Sequence, residues 1–88
     1  MATVVLPRSL VALFPGAEHR VEVGEVGSVS GAIDALEARW PGLRDRLVEA
    51  GPSIREYINV FVDGEPAALT TPVPPRATVH VLPAVAGG

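Results

Sequence analysis

There is no cysteine among the 88 residues. Disulfides, thiolate catalysis, cysteine-bound metals and a side-chain thiol able to carry sulfur are thereby excluded. Lysine is missing too: all seven basic residues are arginine. The side chains thus offer no amine for Schiff-base chemistry or for isopeptide attachment of another protein. The N-terminus lacks the charged, apolar and cleavage-site sequence of a signal peptide, and no apolar run approaches a membrane span. A cytoplasmic protein is the expectation. A strong charge of either sign is also lacking. The net charge of −3 argues against nucleic acid or anionic membrane as the main partner. What is present is a globular composition, 48% apolar and 19% charged, in a length that suits one small domain with one core. No internal repeat, low-complexity tract or linker is visible.

Thr3-Val4-Val5-Leu6 is a short β-branched run ending at Pro7 and reads as a first strand. Ser9 to Phe14 is apolar but irregular, and Pro15-Gly16 closes it as a turn. His19 to Val23 alternates polar and apolar residues, a half-buried strand that can form a hairpin with the first. Ser28 suits a helix N-cap, its hydroxyl able to accept from free first-turn amides. Val29, Ala32, Ile33, Leu36 and Trp40 then recur at helical spacing, and Pro41-Gly42 ends the helix. Leu43 to Ala50 reads as a short second helix with Leu43, Leu47 and Val48 inward, stopped by Gly51-Pro52.

Tyr57 to Val62 is the clearest strand, with Ile58, Val60 and Val62 on one face and Tyr57, Asn59 and Phe61 on the other. Asp63-Gly64 signals a hairpin, and Glu65 to Leu69 is its weak return strand. Thr70 to Arg76, with three prolines, reads as a loop. Ala77 to Leu82 alternates again, placing Val79 and Val81 opposite Thr78, His80 and Leu82. One helix cannot cover both faces of such a sheet. The expected architecture is therefore α+β, a mixed sheet with a single main helix on one side. If the first and last strands are central neighbours, the last is firmly anchored.

Beyond that strand the chain runs Pro83-Ala84-Val85-Ala86-Gly87-Gly88. No side chain there can act as acid, base, nucleophile or metal ligand, so the reactive group is the Gly88 α-carboxylate. Two residues without Cβ can pass through gaps that a side chain would block. The plain alternative is a frayed terminus of no consequence.

The order of elements resembles the β-grasp fold of ubiquitin, a mixed four- to five-stranded sheet packed on one main helix. In that reading residues 1–83 form the domain and 84–88 a flexible tail. The ending Val79-His80-Val81-Leu82-Pro83-Ala84-Val85-Ala86-Gly87-Gly88 resembles the small bacterial sulfur carriers of the ThiS and MoaD superfamily. So do Ser28-Val29 opening a helix that closes at Arg39-Trp40-Pro41, and the segment Ile58-Asn59-Val60-Phe61-Val62-Asp63-Gly64. The string from Leu82 to Gly88 is most similar to the CysO type, the carrier used in cysteine synthesis. Where many relatives have an acidic or glycine turn before the last strand, this chain has Pro74-Pro75-Arg76-Ala77.

The resemblance implies a carrier and not an enzyme. A partner adenylating enzyme of the E1 type uses ATP to activate the Gly88 carboxylate, and a sulfur donor then leaves a thiocarboxylate there. Val85, Ala86 and Gly87 would thread the tail into the partner. The chain itself would bind no cofactor and no metal. The sulfur-accepting partner would be a cysteine synthase. Alternatives are the large subunit of molybdopterin synthase (the MoaD role), thiamine formation or another sulfur-containing metabolite. A separate reading is protein modification through Gly88, without chains built on the protein's own lysines. The last is a β-grasp binding module with an inert tail.

Phe61, His80 and Leu82 should be neighbours on the sheet face away from the helix, a candidate docking patch. The alternative is that Ser9 to Phe14 or Thr70 to Arg76 folds over them. His80 has no nearby His or Cys with which to build an acid–base constellation, and its reading is structural or docking. Asp34 with Glu37, and Arg44 and Arg46 beside Asp45, read as solvated surface. Trp40 should close the end of the core, and Asn59 lies on the outer face without an assigned role.

Overall fold

The computed structural model describes residues 1–83. Its elements in chain order are β1 (Ala2–Val5), α1 (Arg8–Val11), β2 (Arg20–Val23), β3 (Gly27–Ser28), α2 (Val29–Arg39), α3 (Leu43–Leu47), β4 (Val48–Glu49), β5 (Ser53–Ile54), β6 (Ile58–Val62), β7 (Glu65–Pro66), β8 (Pro72–Val73) and β9 (Thr78–Pro83). The main sheet has the order β2-β1-β9-β6-β7. Here β1 and β9 run parallel, with Val4 beside Val79, while β1–β2 and β6–β9 are antiparallel. The first and last strands are thus central neighbours, the condition under which the last strand is firmly anchored.

The period-2 pattern sends Ala2, Val4, Val21, Val23, Val60, Val62, Val79 and Val81 to one sheet face, all buried. Against it lies the 3.6-period stripe of α2: Val29, Ala32, Ile33 and Leu36 are each at most 2% exposed, and Trp40 closes the end. Each fully buried valine of β9 contributes roughly 1.5–3 kcal/mol. With hydrogen bonds to a strand on either side, this makes β9 a fixed support for whatever follows it.

The ends of α2 are set by contacts that join distant segments. The Ser28 hydroxyl accepts from the Gly31 amide at 3.1 Å, as the cap reading expected. The next orphan amides, Val29 and Ser30, donate to the carbonyls of Thr71 and Leu69. The segment from Thr70 to Arg76 is therefore not simply a loop. Its β8 residues pair with β3, because the helix start needs acceptors and this backbone supplies them. Gly31 faces a tight approach, since a Cβ there would stand 2.1 Å from the Val26 carbonyl oxygen. That oxygen already accepts from Ser28 and belongs to backbone. Gly31→Ala should therefore destabilise the fold by about 1–3 kcal/mol, seen as a lower midpoint in urea unfolding.

Several expectations need correction. Ser9 to Phe14 is not wholly irregular: one helical turn, α1, forms where the Pro7 carbonyl accepts from Leu10 and Val11. A single turn is too short to leave a periodic signal. The second helix ends at Leu47 and not Ala50, since Val48–Glu49 pair with Ser53–Ile54. Tyr57 lies in the turn before β6 and not in it. The return strand shrinks to Glu65–Pro66, after which Leu69 turns inward and is buried.

Asp34 and Glu37 are more than a solvated face. The Glu37 carboxylate accepts from the amides of Gly42 at 3.0 Å and Arg44 at 2.8 Å, capping α3 from the preceding helix. Asp34 pairs with Arg44. The two backbone hydrogen bonds, from Gly42 and then Arg44, hold the Glu37 carboxyl below its ordinary pKa. Because the folded-state pKa is depressed, the stabilisation is complete above the ordinary glutamate range and is lost as pH falls through the folded-state value. Glu37→Gln should lower stability at neutral pH and flatten the acid limb of a stability–pH profile, measured by chemical unfolding across pH 2–7.

Candidate functional site

The β6–β9 register places Phe61 opposite His80 and Asn59 opposite Leu82. Cross-strand partners share a face. Phe61, His80 and Leu82 are therefore brought together on the side of the sheet away from α2, with Asn59 among them. Val5 stands beside His80 on β1. It is only 7% exposed yet lies outside the main core cluster. The face thus carries an apolar line from Val5 through His80 to Phe61. Phe61 and His80 are half-buried, and Leu82 is 44% exposed.

Of the two segments that could have covered this face, the buried apolar residues join the main core. From the first, Leu10, Val11 and Phe14 join the main core. From the second, Val73 is buried in that core and β8 binds β3. His19 does not join His80, because its ring Nδ1 is 2.7 Å from the Leu6 carbonyl oxygen, the geometry of an Nδ1–H donating to it. Among the described residues no group of three or more His, Asp or Glu side chains could hold a metal ion, and no helix is long and apolar enough to cross a membrane.

A second surface feature was not legible in the sequence. A cleft of about 190 Å³ opens beside Pro83, the last residue of β9, lined by Pro7, Leu10, Leu13, Arg46, Tyr57 and Ile58 among others. Leu13 and Tyr57 are more than half exposed there. These residues come from four separate segments, each unremarkable alone, so only the fold assembles them. Val85, Ala86, Gly87 and Gly88 lie outside the described residues. What the structure fixes is their starting point: Pro83, exposed, at the end of a central strand whose Val79 and Val81 are buried.

Comparison with known proteins places this geometry in context. Residues 4–88 match the ThiS family. Small archaeal modifier protein 1 of Haloferax volcanii is 33% identical over 69 residues, spanning 78% of this chain and 79% of the relative. A chain in the crystal structure of the Amycolatopsis orientalis BexX/CysO complex superposes with a TM-score of 0.85 at 34% identity, covering 100% of both chains. Mycobacterium tuberculosis CysO, described as an antigen, gives a TM-score of 0.82 at 25% identity, covering 97% of this chain and 100% of that one. The fold is thus the β-grasp fold of CysO and ThiS, and one of these relatives is by name a small modifier protein.

Proposed function

The chain belongs to the ThiS family, and on that premise we propose that it carries sulfur as a thiocarboxylate at Gly88. In the first step a carboxylate oxygen attacks the α-phosphorus of ATP on a partner enzyme, forming an acyl-adenylate as pyrophosphate leaves. A sulfur donor then attacks the acyl carbon, the carbon–oxygen bond to AMP breaks, and a carbon–sulfur bond takes its place. The carboxylate is a poor electrophile; linking it to phosphate supplies the leaving group. The thiocarboxylate is a tethered sulfur nucleophile. Holding it beside an acceptor replaces a bimolecular step and lowers the barrier by about 7–11 kcal/mol at best.

The observation that carries this reading is where the tail begins. β9 is hydrogen-bonded on both sides and buries Val79 and Val81, so the five residues after Pro83 leave from a rigid base. At about 3.3–3.6 Å per residue they span at most about 18 Å, enough to enter a partner's site while the domain stays outside. Phe61, His80 and Leu82 would dock the partner beside that exit. Val85, Ala86 and Gly87 would thread, with bulk at Gly87 or Gly88 blocking entry.

The acceptor we favour is a cysteine synthase, supported by the full-length similarity to the CysO chain. The molybdopterin synthase and thiamine roles are the alternatives within the same chemistry. Incubation with ATP, a cognate activating enzyme and a sulfur source should raise the intact mass by one sulfur in place of one oxygen. An unchanged terminus beside a demonstrably active enzyme would sink the reading. Protein modification is favoured by one observation, the similarity to small archaeal modifier protein 1. It would leave the Gly88 carboxyl amide-linked to lysines of other proteins, seen after trypsin as a remnant of residues 77–88 because Arg76 is the last basic residue, and never on lysines of this chain, which has none.

A further inference from the structure

Strand β2 ends the main sheet: β1 lies on one side of it, and no strand pairs with its other side among the described residues. Two hydrogen bonds fix which backbone groups face outward there. The Leu6 amide donates to the His19 carbonyl in continuous register with the β1–β2 pairs, while the Thr3 amide turns the other way, to the Ala77 carbonyl beside β9. Backbone groups alternate in direction along a strand. Val21 and Val23 therefore turn theirs to β1, and the amides and carbonyls of Arg20 and Glu22 point away from the sheet. Neither residue has a further hydrogen bond or an ion pair among the described residues.

The opposite edge is built differently. There β7 is two residues long and ends in Pro66, which has no amide to offer another strand. By contrast β2 is four residues without proline, with Arg20 and Glu22 exposed and Val21 between them buried. The two exposed charges are of opposite sign and sit two residues apart, symmetrically about Val21.

We propose that β2 is a self-recognition edge. A second copy of this chain adds to it antiparallel, about a two-fold axis at Val21, and forms a weak dimer. That axis sets Arg20 opposite Glu22 of the second copy, and Glu22 opposite its Arg20. Each of these two facing pairs exchanges both of its outward amide and carbonyl groups, which makes four hydrogen bonds. Facing side chains have Cβ atoms about 4.5–5.5 Å apart on one face, so the same two pairs are ion pairs. The sign pattern selects this orientation, since in-register parallel addition would set Arg20 beside Arg20 and Glu22 beside Glu22.

The contact is isologous and closes at two copies, so it consumes the open edge and cannot propagate. A strand pair this short buries far less than the roughly 1,200–2,000 Å² of a stable interface. Its dissociation constant should accordingly be on the order of 0.1–1 mM. Edge pairing extends the sheet in its own plane and leaves the face of Phe61, His80 and Leu82 open. The two-fold reverses strand direction, so Pro83 of each copy stands at an opposite end of the joined sheet. The inference does not depend on the carrier reading.

Sedimentation equilibrium of the 88-residue chain at up to about 1 mM reads the association directly. Wild type should dimerise. Arg20→Glu and Glu22→Arg each convert both ion pairs into like-charge contacts, and each should weaken the dimer about tenfold or more. Mixed in equal amounts, the two variants should pair with one another about as tightly as wild type, because an acidic edge then meets a basic one. Glu65→Arg makes the same charge change on β7 at the opposite edge and should dimerise as wild type does. Hydrogen exchange at the Arg20 and Glu22 amides should slow as protein concentration rises. A wild type still monomeric at the highest concentration would overturn the proposal and leave the two charges as guards of an open edge. So would a mixture that associates no better than either variant alone, a dimer weakened equally by Glu65→Arg, or exchange at the two amides that ignores concentration.

Discussion

Removal of Gly87 and Gly88 should abolish sulfur uptake while leaving the unfolding midpoint unchanged. The truncated chain keeps every described strand pair and the whole buried core, since the last residue of β9 is Pro83. What it loses is the thin terminus on which the proposed chemistry acts. Ala86 would then present its carboxylate two residues short, with a reach reduced by up to about 7 Å, and would carry a methyl where the wild-type terminus has none. A displacement of only 1 Å can cost a positioned reaction about a hundredfold, so turnover in the adenylation assay should fall below detection. Gly88→Val separates length from bulk, since it restores the reach of the end and adds only a branched side chain. Both variants should unfold as wild type does. Full activity in either would mean that the terminal glycines are not the handle.

The second large effect concerns Leu82. It is 44% exposed on the outer face, opposite Asn59 and adjacent to the Phe61–His80 pair. Leu82→Asp keeps the backbone hydrogen bonds of β9 and removes an apolar contact, placing a charge in the middle of the face. A docking residue in the centre of an interface is worth about 2 kcal/mol or more, so KM for this chain in the activation reaction should rise about thirtyfold. The fold should lose less than about 0.5 kcal/mol, as is usual for an exposed site. A KM within a factor of two of wild type would remove this face from the interface and turn attention to the cleft of Leu13 and Tyr57.

The two variants also divide the problem. Truncation alters a segment without altering the surface, and Leu82→Asp does the reverse. A partner that still binds the truncated chain but cannot activate it would show docking and chemistry carried by different residues.

Sequence alone determined what depends on near neighbours along the chain. The stripe from Val29 to Trp40, the alternation of β6 and β9, the Ser28 cap and the Asp63-Gly64 turn follow from periodicity and backbone preference. The absence of cysteine and lysine, and so the reach of any side-chain chemistry, is equally plain from composition. Only the tertiary structure decided matters that depend on distant backbone. The Glu37 carboxylate meets amides of Gly42 and Arg44, the carbonyls of Leu69 and Thr71 complete the start of α2, and Pro7, Arg46 and Tyr57 converge beside Pro83. No local pattern encodes such meetings, because a carboxylate, a carbonyl or an apolar side chain has the same sequence signature whether it finds water or a partner. The parallel course of β1 and β9, which makes the last strand central to the sheet, belongs to that second class.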